Sequence, residues 1–189
     1  IGEFDWTMIE PADGVFDFTI LDKAVDKLLD NGIKIIFGTP TATPPAWLVK
    51  KYPEILPIDH SGRVNDPGSR RHYTPNSPIY RQYAMQLVEE YVRHYADAAD
   101  MWQVDNEFGC HGTTFSFTTN DRKAFIEWLK ERYGTLENLN AAWGTIFWSQ
   151  TYDDWDEIVF PLNTPTFENP HQMLDIHRFM SDSTIDFMN

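Results

Sequence analysis

The chain has 189 residues, of which 42% are hydrophobic and 15% aromatic, and 29 acidic against 15 basic side chains leave a formal net charge of −14. That balance speaks against a nucleic-acid partner, which needs lysine and arginine gathered on one face, and it fits a neutral substrate. No apolar run is long enough to span a bilayer, and the single cysteine, Cys110, can form no intrachain disulfide, so a cytoplasmic, membrane-free setting is expected.

Ile1-Gly2-Glu3-Phe4-Asp5-Trp6 reads as a strand and its exit, with no starting Met and no capping signal. After Phe16-Asp17-Phe18, Thr19 is placed to cap a helix whose Leu21, Ala24, Val25, Leu28 and Leu29 share one face and which Asn31-Gly32 ends. Ile33, Ile35, Ile36 and Phe37 form the next strand. Its exit, Gly38 to Pro45, is too rich in proline for regular structure. It reads equally as a shaped loop over a binding site or as a rigid turn, with Trp47 beyond it as the ring best placed to stack on a sugar. From Tyr52 to Asn76 the chain is irregular, and loops of this length are usually functional or disordered. Arg70, Arg71 and His72 concentrate positive charge there, either to bind substrate or to pair with nearby carboxylates.

Ser77 and Pro78 make a helix start, with Ser as cap and Pro in the first turn, and Tyr83, Leu87, Tyr91, Val92 and Tyr95 follow in the helix. It leads into a short strand in which Trp102 and Val104 alternate with Gln103 and Asp105 and which stops at Asn106-Glu107-Phe108-Gly109. Asn120 begins another helix, with Ala124, Phe125, Trp128, Leu129 and Tyr133 on its apolar face and Gly134 at its end; a shorter one holds Leu136, Leu139 and Trp143. The stretch from Trp143 to Pro170 looks like a long insertion, and its aromatic, acidic segment from Phe147 to Trp155 suits an exposed surface or interface, with Trp148 and Trp155 as contact candidates and Trp148 expected to bind substrate. A final helix carries His171, Met173, Ile176, Phe179 and Met180.

Strand and helix alternate as in βα units, so the fold class is α/β, part of a (β/α)8 TIM barrel covering about strands two to four with their helices and the insertion. A complete barrel needs about 250 residues, and residues 1–189 are therefore read as a partial catalytic domain lacking parts at both ends. Glu107 then sits at the C-terminal end of a strand, the face that carries chemistry in such barrels. A carboxyl beside an amide donor suits glycoside cleavage: Glu107 can protonate the leaving oxygen while Asn106 holds a sugar hydroxyl. The alternative is a solvated glutamate at a loop edge with asparagine as turn former. Glu10, Asp66 and Asp105 are competing carboxylates, and Asp105, one step deeper, suits a buried hydrogen-bond partner.

Several motifs stand in the order seen in one family: Glu10-Pro11, Gly14-Val15-Phe16-Asp17-Phe18, Thr39 to Leu48, Arg70-Arg71-His72-Tyr73, Asn76-Ser77-Pro78, Gln103 to Gly109 and Leu139 to Thr145. Through nearly its whole length the chain resembles the β-galactosidases of glycoside hydrolase family 42. That resemblance implies retaining hydrolysis of terminal β-D-galactosides, Glu107 as general acid/base, Asn106 beside it on the sugar, and Arg70 lining the galactose subsite, with Arg71 one register away. The nucleophile would lie on a later strand outside this segment, and the intact protein would form a homo-oligomer, a trimer. Some members hold a zinc cluster, whose matching places here are Thr74, Phe115, Phe117 and Asn120; none of these replaces a thiolate, and Cys110-His111 alone is a weak site, so neither metal nor cofactor is expected. The alternatives are a noncatalytic carbohydrate-binding module, for which the missing nucleophile speaks, or an inactive barrel fragment.

Overall fold

Two short parallel strands and the helices that cross between and after them organise the chain. The computed structural model describes residues 1–189. Helix α1 is a single turn, Trp6–Ile9, and α2 spans Thr19–Asp30 with Leu21 and Val25 buried one turn apart. Thr19 is the first helical residue of α2 and not its cap. Phe18 holds the cap position, and the Asp17 carboxylate accepts from the Thr19 N–H at 2.9 Å, satisfying one of the donors a helix start leaves open. The strand that the sequence places from Ile33 is shorter and later, β1 at Ile36–Gly38. Ile33 is excluded because its N–H closes the end of α2 on the Leu28 carbonyl.

Strand β1 pairs in parallel with β2, Met101–Gln103, in the register Ile36–Met101, Phe37–Trp102 and Gly38–Gln103. Backbone parity decides what lies on each side of β1. The Ile35 carbonyl and Thr39 N–H bond to Asp100 and Gln103, whereas the Ile36 carbonyl and Gly38 N–H bond to Ile1 on the opposite edge. The N-terminal segment thus joins the sheet at Ile1 but does not form the full strand read from the sequence. Gly2 turns it with φ +96°, and the chain enters α1 at Trp6. Glycine is required at position 38, where a Cβ would stand 2.7 Å from the Cβ of Glu3.

Between the strands run α3, Ala46–Lys51, the irregular stretch, and α4, Pro78–Tyr95. Ser77 caps α4 by accepting from the Tyr80 N–H at 3.2 Å. Tyr80, Ala84, Leu87, Tyr91 and Tyr95 recur every three or four residues on its buried face. Phe37 of β1 stacks on Tyr95 and Trp102 at 4.7 and 5.3 Å, so strand and helix share one aromatic core with Trp6, Ile9 and Leu48.

A second, helical region follows β2. Helix α5, Thr119–Tyr133, starts one residue before Asn120 because Thr118 and Asp121 form a reciprocal capping box. Helices α6, Leu136–Trp143, and α7, Pro170–Met188, enclose a core of Phe125, Leu129, Trp143, Ile176 and Phe179. The stretch between α6 and α7 is irregular apart from short turns at Phe147–Ser149 and Trp155–Glu157. Near its end α7 returns to the first core, where Phe187 packs on Tyr73 and Tyr80. Parallel strands joined by helical crossovers make this part of an α/β barrel. No helix is long and apolar enough to cross a membrane.

Candidate active site

Because β1 and β2 are parallel, their exits lie at the same end of the sheet. The β1 exit supplies Thr39 and Thr41, the β2 exit supplies Asp105, Asn106 and Glu107, and the irregular stretch adds Arg70, Arg71 and Tyr73. Asp105 is 0% exposed. Its carboxylate accepts from Thr41 Oγ1 at 2.8 Å, Tyr73 OH at 2.8 Å, Arg71 Nη1 at 2.6 Å and the Asn106 N–H at 2.6 Å. Its own N–H donates to Thr39 Oγ1 at 2.7 Å. A buried carboxylate loses several kcal/mol of hydration, and here the Arg71 guanidinium together with three further donors offsets that loss. Burial, and after it the Asp105 charge, pushes the Tyr73 phenol well above its ordinary value, which keeps the proton that it donates.

Arg71, Asp105 and Glu107 all have left-handed backbones, with φ of +64°, +53° and +48°. For residues other than glycine such conformations cost about 1 to 3 kcal/mol each and persist only where surrounding contacts over-determine them. Here the turn drives Asp105 inward and brings Glu107 out. The Glu107 side chain is 56% exposed and forms an ion pair with Arg70, which is 30% exposed. Two adjacent arginines therefore meet two carboxylates spaced by two: Arg71 with Asp105 inside, Arg70 with Glu107 outside. The Arg71 guanidinium lies 5.2 Å from the Tyr73 ring and 4.6 Å from that of Phe108, which fixes it as a buried structural cation. Asn106 Oδ1 accepts from Gln103 Nε2 at 3.3 Å, an arrangement that leaves its side-chain N–H groups for a ligand.

Glu107 and Arg70 are thus paired, with Asn106 adjacent to Glu107 in the same turn but bonded to Gln103 and Asp105; Trp47 and Trp148 make no bond to any of the three. Trp47 Nε1 donates to the Glu10 carbonyl at 2.9 Å, and its half-buried ring packs edge-on against Tyr83. Trp148 is 71% exposed and walls a groove of about 640 Å³ with Trp143, Phe147, Phe167 and His171. Of the competing carboxylates, Glu10 is buried and accepts from Trp6 Nε1 at 2.8 Å and the Gly14 N–H at 2.9 Å. Asp66 is exposed in the irregular stretch. Thr74 donates to Asp121 at 2.5 Å, while Phe115 and Phe117 pack on His60, so those positions supply packing and a hydroxyl. Thr39, Thr41 and Tyr73 carry the network; they stand within the family-like motifs of the sequence, which assigned them no role. The two threonines flank Pro40 at the exit of β1, Thr41 within a short 3-10 turn, and their hydroxyls stand 3.4 Å apart.

Fold and site together define a segment of a parallel α/β barrel with a carboxyl and an amide beyond one strand end and an arginine brought to them by the irregular stretch. Residues 1–189 match glycoside hydrolase family 42, described as β-galactosidase, and the chain belongs to that family. It is 51% identical over 187 residues to the β-galactosidase BgaB of a Geobacillus species, covering 98% of this chain and 28% of the relative. It is 48% identical to an Arthrobacter β-galactosidase, covering 99% and 27%. The crystal structure of the β-galactosidase from the psychrophilic Marinomonas ef1 superposes with a TM-score of 0.95 at 46% identity, over 99% of this chain and 29% of that one. The chain therefore spans somewhat more than a quarter of the length of these relatives.

Proposed function

We propose that this chain contributes the acid/base half of a retaining β-galactosidase site. The observation that carries the reading is Glu107: a carboxyl in the turn that follows the C-terminal end of parallel strand β2, turned outward by a left-handed backbone and paired with Arg70. In the first step the protonated Glu107 gives its proton to the glycosidic oxygen while a second carboxylate attacks the anomeric carbon. In the next, the Glu107 carboxylate takes a proton from the water that displaces the enzyme from the sugar. Asn106 and Arg70 donate to galactose hydroxyls beside it.

The attacking carboxylate must lie about 5 to 5.5 Å from the acid. Asp105 and Glu10 are both buried and engaged with their own donors, and in this reading the nucleophile is assigned, by the family resemblance, to a later strand outside these residues. Support comes from the Geobacillus and Arthrobacter relatives, both named β-galactosidases, and from a solved β-galactosidase of the same family described as a catalytic mutant in which a glutamate is replaced by alanine. Galactoside is the proposed substrate, and trimeric assembly of the intact protein belongs to the same reading.

The test is Glu107→Gln in the full-length protein carrying this segment. Hydrolysis of lactose and other substrates with poor leaving groups should fall by roughly 10² to 10⁴. Activated aryl galactosides should still form the glycosyl-enzyme, and added azide should speed its turnover. Unchanged lactose hydrolysis would remove Glu107 from the reaction.

A further inference from the structure

Arg70 and Arg71 are neighbours in sequence, yet one faces the open end of the sheet and the other is enclosed. Asp105 makes that division. Its carboxylate is pinned from three parts of the chain: Thr41 of the β1 exit, Arg71 and Tyr73 of the irregular stretch, and the Asn106 N–H of its own turn. The Arg71 N–H adds a bond to the Ala42 carbonyl at 2.6 Å, which ties the same two loops together. Two residues after Asp105, the side chain of Glu107 leaves the turn with no other side-chain hydrogen bond than the one from Arg70. The direction of Glu107 is therefore set by the backbone at 105–107 and by Arg70, and the backbone is set by Asp105.

We propose that Asp105 is a positioning residue for the Glu107 acid, acting through the left-handed turn at 105–107, and that by capturing Arg71 it reserves Arg70 for Glu107 and the substrate. This rests on the reading of Glu107 as acid/base. Two consequences follow from the geometry. Glu107 faces one guanidinium instead of two, so Arg70 alone holds the direction of its side chain. The turn is also held without help from substrate, so the acid is in place before binding. A misplacement of about 1 Å at a reacting group costs roughly 10²-fold in rate.

A misplaced acid and a damaged fold leave different signatures. Loss of folded molecules lowers kcat/KM by one factor for every substrate, whereas a misplaced acid slows galactosides with poor leaving groups and spares those whose leaving group departs without a proton. Asp105→Asn in the full-length protein should lower kcat/KM about 10²-fold for lactose and less than 10-fold for a dinitrophenyl β-galactoside. It leaves Arg71 uncompensated, and that can itself prevent folding. The second variant, Asp105→Asn with Arg71→Met, removes both buried charges and should show the same split.

Equal losses on the two substrates, or no loss, in the folded double variant overturn the positioning role, provided that Glu107→Gln measured beside it retains its own leaving-group dependence. If Glu107→Gln shows no such dependence, the acid assignment fails in that variant, and the positioning role falls with it.

Discussion

Two buried aspartates, Asp105 and Asp121, meet the same electrostatic requirement in opposite ways. Asp121 sits in the first turn of α5, where the helix dipole favours an anion, and it is enclosed by hydroxyls and amides. Thr74, Asn76, Ser116 and both the N–H and hydroxyl of Thr118 donate to it at 2.5 to 2.9 Å. It has no cation and sits within regular helix. Asp105 needs an arginine and a left-handed backbone, and its reward is an exposed neighbour, Glu107, aimed out of the strand end. Burial alone does not mark a site. What separates Asp105 from a fastener is strain beside an exposed acid, in keeping with the tendency of such backbones to gather where chemistry is done.

That contrast can be broken in the full-length protein by removing the fastener. Asp121→Ala strips four side chains of their acceptor and should destabilise by at least about 3 kcal/mol in denaturant unfolding, since single bonds to a charged group contribute about 1.5 to 3 kcal/mol. Among molecules that remain folded, the ratio of lactose to dinitrophenyl galactoside hydrolysis should match wild type. A ratio shifted as far as in Glu107→Gln would place Asp121 in the catalytic arrangement and dissolve the distinction.

A smaller effect is expected at Asp175, the fastener between α6 and α7, which accepts from Trp143 Nε1 at 2.8 Å. Trp143→Phe keeps most of the ring and removes that donor, so it should lower stability by about 1 to 3 kcal/mol without altering leaving-group dependence. Unchanged stability would mean that the ring alone holds the helices.

Glu10 sharpens the comparison in its pH dependence and gives the smallest effect. Burial raises its pKa above the usual 4.5, against the lowering by its bonds to Gly14 and Trp6. The folded state therefore binds the proton more tightly than the unfolded chain does. This contribution to stability is full below pH 4.5 and declines as pH rises through the folded value. Melting temperature followed from pH 4 to 7 should fall more, relative to its value at pH 4, in wild type than in Glu10→Gln. The opposite slope would show that the two hydrogen bonds outweigh burial.

The start of α4 at Ser77 and Pro78 and the end of α2 at Asn31 were legible in the sequence because each is a local signal, decided within a few residues, whereas β2 ends at Gln103 instead of running on through Asp105, since Val104 is exposed and Asp105 already has a left-handed backbone. The role of Asp105 as a buried partner was legible too, from its place one step below Glu107. The division of labour between Arg70 and Arg71 was not legible. It depends on contacts 34 and 37 residues away in the chain and on a turn whose sign of φ no pattern announces in Asp and Glu. Trp47 has the ring and polar tip of a sugar platform, but whether that tip is free depends on the Glu10 carbonyl 37 residues before it. Thr19 is the first residue of α2 and not its cap, because the backbone puts Phe18 in the cap position and leaves the Asp17 carboxylate to accept from the Thr19 N–H, which the sequence pattern does not decide.

The most direct test of the account is a crystal structure of the full-length protein with a galactose-derived inhibitor that carries an oxygen or nitrogen in place of the glycosidic oxygen. A Glu107 carboxyl oxygen should lie about 2.6 to 3.2 Å from that atom, with Asn106 and Arg70 on galactose hydroxyls and the Asp105–Arg71 pair unchanged. An inhibitor bound with its leaving-group atom out of reach of Glu107 and within reach of another carboxyl would contradict it.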